Sequence, residues 1–306
     1  MKEMAVEIPF DIARLAARAY MRCPWKLGKS TVLHAYNRLV RMRPHQAVVR
    51  TRFGDLMEVL MPDIIADTIF LSGHWESTIT EYVRQALRPG DIFVDVGANI
   101  GYYSVLASGL VGERGRVFAI EAHPRICERL KRNVALNGRR NTQVINAAAS
   151  DSKGQLPLFL GPVSNPGHTT TVSELAEKEH LLFDTTVPAD TLERLIGSDN
   201  LFEARLIKID VEGAEHTVLA PLLSSLASFR DSTEWLLELW PEYCAGGQSA
   251  IDEIYRAFRM AGYKPLRIEN CYGLERFYPA RRVSLIPITP DLQREPQDVL
   301  MTRVDY

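Results

Sequence analysis

The sequence lacks the features that mark secreted and membrane-spanning proteins. Only four of its 306 residues are cysteine, too few for a disulfide framework, and no two have metal-ligand spacing. No apolar run reaches the roughly 18 residues of a spanning helix, and Arg14 and Arg18 interrupt the apolar stretch near the N-terminus. We therefore expect a cytoplasmic protein with no stable membrane insertion.

A strong excess of charge of either sign is also missing. The net charge is −2, and basic residues are spread along the chain, which argues against a polyanion-binding surface. The higher basic density in the first fifty residues is typical of solvated faces of amphipathic helices. A neighbouring membrane or acidic partner is the alternative explanation.

The N-terminal quarter has a pattern of its own. Apolar residues at helical spacing predict helices over residues 10–22 and 30–42. The Gly54-Asp55 pair between two apolar runs predicts a hairpin within residues 45–62. We expect residues 1–70 to form an α+β extension and residues 71–306 to form the main domain.

From residue 91 onward, short apolar runs alternate with helical patterns. Continuous apolar strands indicate a sheet that is covered on both faces, and the alternation predicts a doubly wound, mostly parallel α/β sheet. The five runs are IFVDV (92–96), RVFAIE (116–121), QVINAA (143–148), RLIKID (205–210) and EWLLEL (234–239). Further strands near 263–269 and 298–304 would give seven in total.

A glycine motif, DVGANIG (95–101), follows the first of these strands. Gly97 and Gly101 allow the backbone to pass close to a ligand, and the next helix begins there with free N–H groups. Glu121 ends the neighbouring strand, where its carboxylate can accept both hydroxyls of a ribose. Together these features predict a cofactor that contains a nucleoside.

The spacing within the motif distinguishes two such cofactors. A dinucleotide site usually has G-x-G-x-x-G, whereas this motif has G-x-x-x-G with Asp95 two residues before the first glycine. A carboxylate there would repel a pyrophosphate but suits the amino group and sulfonium of S-adenosylmethionine. We favour S-adenosylmethionine over NAD. A glycine turn that merely connects strand to helix is the remaining alternative.

Three segments together resemble a known family. DVGANIG, VINAAASD (144–151) and LIKIDVEGAE (206–215), in this order and spacing, are similar to the FkbM-type S-adenosylmethionine-dependent methyltransferases over about residues 70–240. The resemblance implies the seven-stranded, Rossmann-like class I methyltransferase fold. It also implies methylation of hydroxyl oxygens on sugars, polyketides and other secondary metabolites. The sequence departs from the family at His123, where an amide is frequent.

The resemblance also implies which residues contact the cofactor. They come from the three segments above, from Glu121 and Ala122 at the end of the second strand, and from GHWES (73–77), whose acid is similar to one near the methionine end of the cofactor. The candidates are Glu76, Asp95, Gly97, Ala98, Asn99, Gly101, Glu121, Ala122, Ala148, Ala149, Ser150 and Asp210.

Activation of the acceptor needs a separate group, because a hydroxyl is a poor nucleophile until its proton is removed. Asp210 and Glu238 end two strands on the cofactor side, where they could act as base or hold a divalent ion such as Mg²⁺. Alternatively, Asp210 or Glu212 is a structural acceptor for turn amides with Lys208 as its partner. His168, in a polar loop, is another candidate base.

We therefore expect an O-methyltransferase that acts on a hydroxyl of a small molecule or glycan. Trp240, Pro241 and Tyr243, just beyond the fifth strand, are candidates for an apolar wall of the acceptor site, and packing in the core or at its rim is the alternative role. The alternatives are a nucleic-acid methyltransferase and a non-catalytic cofactor-binding scaffold. We expect no nucleic-acid partner, because no basic RNA-binding module or amine-methylation motif is present. The sequence is compatible with a homo-oligomer.

Overall fold

The computed structural model describes residues 10–23, 25, 27–42, 44–161, 169–270, 273–280, 282–290 and 292–305. For residues 10, 11 and 39–42 only the backbone is described. The candidate base His168 lies outside the described residues.

The N-terminal prediction of two helices and a hairpin is confirmed. Helix α1 (Phe10–Arg22) and helix α2 (Lys29–Met42) precede strands β1 (His45–Arg50) and β2 (Leu56–Met61). The strands pair in antiparallel register, and the connecting turn contains Gly54 at φ 96°, a conformation that glycine adopts without strain.

Two further helices, α3 (Ile64–Ser72) and α4 (Ser77–Ala86), lead into the central sheet and were not predicted. Asp63 caps α3, because its side chain accepts a hydrogen bond from the Ala66 N–H at 2.7 Å. The domain boundary expected after residue 70 falls within α3, so the chain passes from the N-terminal extension into the main domain without a linker at that point.

The rest of the chain alternates between strands and helices. The strands are β3 (Ile92–Val96), β4 (Arg116–Ile120), β5 (Thr142–Ile145), β6 (Ala148–Ala149), β7 (Gly154–Leu160), β8 (Leu182–Asp190), β9 (Leu206–Ile209), β10 (Glu234–Leu239), β11 (Lys264–Ile268), β12 (Leu285–Pro287) and β13 (Gln297–Thr302). The helices are α5 (Tyr102–Val111), α6 (Pro124–Leu136), α7 (Ser173–Lys178), α8 (Leu192–Ile196), α9 (Ser198–Phe202), α10 (Glu215–Leu219) and α11 (Gly247–Met260).

The central sheet confirms the predicted doubly wound, mostly parallel α/β class. Its order is β12-β11-β13-β10-β9-β3-β4-β5, and the five strands from β10 to β5 are parallel. All seven predicted strands are present. The structure adds an eighth, β12, whose three residues pair antiparallel with β11 and are too few to give a periodic signal.

One strand prediction needs correction. QVINAA was expected to form a single strand, but β5 ends at Ile145, and Ala148 and Ala149 pair instead with β8 in a separate sheet of order β6-β8-β7. The Asn146 side-chain amide donates to the carbonyls of Glu121 and Ala122, at 2.8 and 2.9 Å. These bonds anchor the chain to the end of β4 where it leaves the sheet.

Apolar side chains cover both faces of the central sheet, as its strand composition requires. One hydrophobic cluster contains residues of α3 to α6 and continues into the N-terminal extension through Met21, Tyr36 and Met57. The other contains residues of α8, α10 and α11, with Trp235 and Phe258 at its centre. The extension therefore shares a core with the sheet.

Candidate functional site

The glycine turn brings the ends of β3 and β9 into direct contact. Gly97 has φ 79°, and a Cβ on it would lie 1.7 Å from the Asp210 carbonyl oxygen. Gly101 has φ 87°, and a Cβ there would lie 2.3 Å from Leu130 Cδ1. Any larger residue at either position would have to displace a neighbour. The turn therefore depends on glycine, as the sequence predicted.

Glu121 is buried beside this turn and is held by the main chain. Its Oε2 accepts the Asn99 N–H and its Oε1 accepts the His123 N–H, both at 2.8 Å. Burial raises the pKa of Glu121 to about 7, although the two amide hydrogen bonds oppose that shift. Each oxygen keeps a further lone pair for a ligand hydroxyl.

His123, where the sequence departs from the family pattern, begins α6. Its Nδ1 accepts the Arg125 N–H at 3.1 Å, and Pro124 occupies the first position of the helix. The ring is buried and its Nε2 lies 3.3 Å from Asp184 Oδ2. The imidazole thus serves as a helix cap, while its backbone N–H orients Glu121.

A cavity of about 550 Å³ opens at the carboxyl ends of β3, β4, β9 and β10, the usual ligand-binding position in an open parallel sheet. Its volume is within the range of small-molecule sites. Ten predicted residues line it: Glu76, Gly97, Ala98, Asn99, Glu121, Ala122, Ala148, Ala149, Asp210 and Glu238.

Three predicted residues are not part of the cavity wall. Asp95 is buried, and Ser104 Oγ donates to its Oδ2 at 2.6 Å, while its Oδ1 has no partner among the described residues. Burial raises the pKa of Asp95. Gly101 shapes the turn, and Ser150 donates its N–H to the Asp190 carbonyl at 3.0 Å.

Glu76 projects into the cavity from the start of α4, in a left-handed conformation with φ 36°. The Tyr103 hydroxyl donates to its Oε2 at 2.7 Å, and Asn270 Nδ2 donates to its Oε1 at 2.9 Å. Burial, together with the charge of Asp298, raises the pKa of Glu76 to about 8, against the influence of Lys208. At neutral pH much of this carboxyl is protonated.

Asp210 and Glu238 form a hydrogen-bonded pair beside a buried lysine. Burial and the charge of Asp210 raise the pKa of Glu238 well above its usual range, so Glu238 carries the proton and donates it to Asp210. Burial alone would raise the pKa of Asp210, but Lys208 and this hydrogen bond lower it. Lys208 Nζ lies 2.7 Å from Asp210 Oδ2. We define Glu76, Asp210, Glu238 and Lys208 as the acid cluster.

The acid cluster does not fit a divalent metal ion. Its two strand-end carboxyls are hydrogen-bonded to each other, and the Lys208 ammonium is in contact with Asp210. In the described part of the chain, no group of three or more His, Cys, Asp or Glu side chains is placed to hold a metal. We therefore assign no role to Mg²⁺.

One functional residue was not predicted. Glu215 Oε1 accepts the N–H groups of Val211 and Gly213, both at 3.2 Å, and fixes the turn that follows β9. This is the structural role that the alternative hypothesis gave to Asp210, whose Lys208 partner is nevertheless present. The signal was available in LIKIDVEGAE, where the final acid follows the glycine by two residues.

Trp240 and Tyr243 stack in parallel at one side of the cavity. Their ring centroids are 5.5 Å apart with an interplanar angle of 3°. Both line the cavity, as do Trp75 and Ile65, which lie earlier in the chain. Trp240 and Tyr243 therefore line the cavity, Pro241 is not among the lining residues, and a contact of these rings with an acceptor stays a prediction.

Comparison with known proteins decides the family. The family model described as methyltransferase FkbM domain matches residues 95–265, more than half of the chain. The chain belongs to this family. The matched domain contains the glycine turn, Glu121, the Asp210–Glu215 turn and Glu238, and it is an S-adenosylmethionine-dependent methyltransferase domain.

Similarity to curated proteins and solved structures is more limited. A protein named "Probable cobalt-precorrin-6B C(15)-methyltransferase (decarboxylating)" from Sulfolobus acidocaldarius is 39% identical over 62 residues, 20% of this chain and 32% of its own. Protein-L-isoaspartate O-methyltransferase from Aeropyrum pernix is 30% identical over 127 residues, covering 41% and 46%. The chain spans less than half the length of these relatives. A solved S-adenosylmethionine-dependent O-methyltransferase from Thermotoga maritima is 12% identical with a TM-score of 0.39, covering 90% and 82%.

The described residues fit S-adenosylmethionine on structural grounds as well. The cavity has room for a nucleoside, and Glu121 has free lone pairs at one end of it. At the other end of the cavity, the carboxyls of the acid cluster lie beside the Lys208 ammonium. Across the described residues, no helix is long and apolar enough to span a membrane.

Proposed function

We propose that this protein is an O-methyltransferase that acts on a hydroxyl of a neutral small molecule or glycan, of the sugar, polyketide or secondary-metabolite type. One observation carries the proposal: a single cavity joins the amide-held Glu121 to a buried, proton-sharing carboxyl pair and an aromatic wall.

The cofactor end of the cavity is assigned to the glycine turn and Glu121. S-adenosylmethionine supplies, when bound, an activated methyl group on a positively charged sulfur. Glu121 would accept the ribose hydroxyls, and Ala148 and Ala149 would border the adenine. Asp210, whose pKa is lowered, supplies negative charge toward the cationic end, and Glu76, largely protonated at neutral pH, lines the cavity beside it. Because the donor is already activated, the protein has chiefly to align the acceptor and exclude water.

The acid cluster is assigned to the acceptor proton. Asp210 is ionised and Glu238 is protonated, so the pair carries one negative charge and can take up one more proton. Asp210 would accept the proton of the acceptor hydroxyl as the new C–O bond forms and the methyl C–S bond breaks, with the neutral thioether S-adenosylhomocysteine as the leaving group. Lys208, 2.7 Å away, keeps Asp210 ionised until then.

The cavity charge favours an uncharged acceptor. Lys208 is the single cationic side chain among the described residues of the wall, and it is already paired with Asp210. Phosphate groups would face several carboxyls with no cation free to receive them. Trp240 and Tyr243 offer a flat apolar surface to a sugar or carbocyclic ring. These features support small-molecule over nucleic-acid methylation.

A transfer assay with isotopically labelled S-adenosylmethionine tests the proposal. We expect methylation of members of a panel of neutral polyols, glycosides and hydroxylated polyketides, and none of RNA or sugar phosphates. Transfer to RNA would support the nucleic-acid alternative. Calorimetric cofactor binding without transfer across the panel would support the scaffold alternative.

We also propose a cytoplasmic location and a division into an extension (1–70) and a methyltransferase domain (71–306). The described cysteines Cys23, Cys127 and Cys244 are free thiols, which is usual in a reducing compartment. Expression of the 71–306 fragment tests the division. A soluble, folded fragment would support two separable parts. An insoluble fragment would mean that the main domain depends on the core contacts of Met21 and Met57.

A further inference from the structure

Charge is strongly segregated along the chain. Ten of the 36 basic residues and none of the 38 acidic residues fall between Ile12 and Gly54, so this segment carries +10 and the rest of the chain −12. The segment comprises α1 from Ile12 onward, α2, β1 and the turn that follows β1, and Asp11, the one acid in the sequence of α1, lies just before it. A nearly neutral chain therefore contains one strongly basic sequence segment, which we call the basic layer after the described elements α1, α2 and β1 that it supplies.

Helix α1 in this layer has its apolar face outward. Ile12, Leu15, Ala16 and Ala19 share one face at helical spacing and are exposed, Leu15 to 59%. The opposite face carries arginines toward the protein. Arg14 is only 3% exposed, Arg18 lies 5.2 Å from the centre of the Phe70 ring, and Arg22 donates to the carbonyls of Leu71 and Arg50.

The connection from α1 to α2 extends this apolar surface. Trp25 is 67% exposed and Leu27 is 88% exposed. The connection is tied to the end of α1, because Lys29 Nζ donates to the carbonyls of Met21 and Cys23, at 2.7 and 2.8 Å. The Tyr20 hydroxyl also donates to the Leu27 carbonyl. These bonds fix the backbone of the connection at Leu27 and Lys29 against the end of α1.

We propose that this surface, defined by Ile12, Leu15, Ala16, Ala19, Trp25 and Leu27, docks on an anionic lipid bilayer. An exposed apolar helix face with a tryptophan beside it matches the interfacial region of a membrane, where indole rings concentrate. The surrounding charge of +10 complements anionic headgroups. The helix would lie in the plane of the bilayer surface and cross nothing.

Charge also argues against the other occupants of this surface. Pairing of two copies through it would bring two strongly basic segments together, with Asp11 the one acid of α1 to offset them. RNA would leave the outward apolar residues without a partner, and the arginines of α1 face inward, where Arg22 is bonded to carbonyls. An anionic bilayer suits both the positive charge and the exposed apolar side chains. Its headgroups are attracted to the positive charge of the layer, and its acyl chains cover the apolar side chains. This proposal is independent of the acceptor.

Co-sedimentation of the full chain with vesicles tests the proposal. We expect binding to phosphatidylcholine vesicles that contain phosphatidylglycerol to be at least tenfold tighter than to pure phosphatidylcholine, and to weaken as salt is added. The double variant W25S/L27S should lose at least tenfold in affinity. Its matched control is Met260→Ser, which removes an 83% exposed apolar side chain at the end of α11 and should change nothing.

A charge reversal separates the electrostatic contribution. Arg38→Glu, on the exposed side of α2, should weaken binding to anionic vesicles, whereas Arg114→Glu, exposed outside the layer, should not. Because all substituted residues are exposed, an unchanged thermal midpoint confirms folding. No vesicle binding, equal loss in the control variants, or a dimer in size-exclusion chromatography that W25S/L27S dissociates would overturn the proposal. So would salt-sensitive RNA binding that W25S/L27S leaves intact.

Discussion

The two ends of the cavity hold their carboxyls in different ways. Glu121, at the cofactor end, is held by two backbone N–H groups. In the acid cluster, the carboxyls are held by side chains and by each other, with Tyr103 and Asn270 on Glu76 and Lys208 on Asp210. A main-chain contact fixes position, whereas a shared proton leaves protonation adjustable. The first arrangement suits binding and the second suits proton transfer.

The largest effect should come from Gly97→Ala, because Gly97 belongs to the cofactor turn and packs directly against the backbone of Asp210 in the acid cluster. The added Cβ would lie 1.7 Å from the Asp210 carbonyl, and φ is 79°. We expect a loss of about 4 kcal/mol or more in the free energy of unfolding and no measurable cofactor binding. The control is Gly138→Ala, also at positive φ but with nothing within 4 Å of the new Cβ, which should cost only about 1 kcal/mol. Equal costs in urea unfolding would mean that the close approach is unimportant.

Asp210→Asn should act on turnover. Removal of the proton acceptor is expected to lower kcat by roughly 100- to 10,000-fold, with less than about tenfold change in cofactor Kd. Glu238→Gln retains an N–H donor toward the still ionised Asp210, so its loss in kcat should be at least tenfold smaller. If Glu238→Gln loses as much as Asp210→Asn, then Glu238 is the proton acceptor and the assignment within the pair is reversed.

Glu121→Ala should act on binding. Loss of two hydrogen bonds to a carboxylate, at about 1.5 kcal/mol each, corresponds to roughly 100-fold weaker cofactor binding. Titration calorimetry measures this effect, and Glu128→Ala, an exposed acid on α6, is the control that should not change affinity. An unchanged Kd for Glu121→Ala would remove Glu121 from the ribose site.

The smallest effect is a pH dependence of affinity. The pKa of Glu121 is raised to about 7, so in the empty protein the uncharged form is favoured below pH 7 and must lose its proton to hold a ribose as a carboxylate. Affinity should therefore rise by about tenfold from pH 6 to pH 8. Glu121→Gln should lack this rise, and the difference between the two profiles excludes the titration of the cofactor itself. Parallel profiles would contradict the assignment.

The residues assigned to the cofactor end could be picked out from the sequence because their signals are local. The glycine turn lies between a strand and a helix, and Glu121 ends the next strand, so spacing alone placed them together. The acid cluster was only partly predictable. Asp210 and Glu238 were identified as strand ends, but Tyr103 and Asn270, which hold Glu76, come from distant segments that carry no motif.

The periodicity of α1 predicted its helix but not its orientation. An apolar face is normally buried, yet long arginine side chains can pack their stems against a core and direct their charged ends to carbonyls. The sequence pattern is the same for either orientation. The point where the chain leaves the central sheet at Asn146 was not predicted either. The apolar run QVINAA continues past this residue in sequence, but the Asn146 side-chain amide bonds to the end of β4 and the strand ends there.

A crystal structure with bound S-adenosylhomocysteine would test the central claim most directly. We expect both ribose hydroxyls on the Glu121 carboxylate and the sulfur directed toward Glu76, Asp210 and Glu238. A nucleoside bound elsewhere, or a sulfur directed away from the acid cluster, would contradict the assignment of the two ends of the cavity.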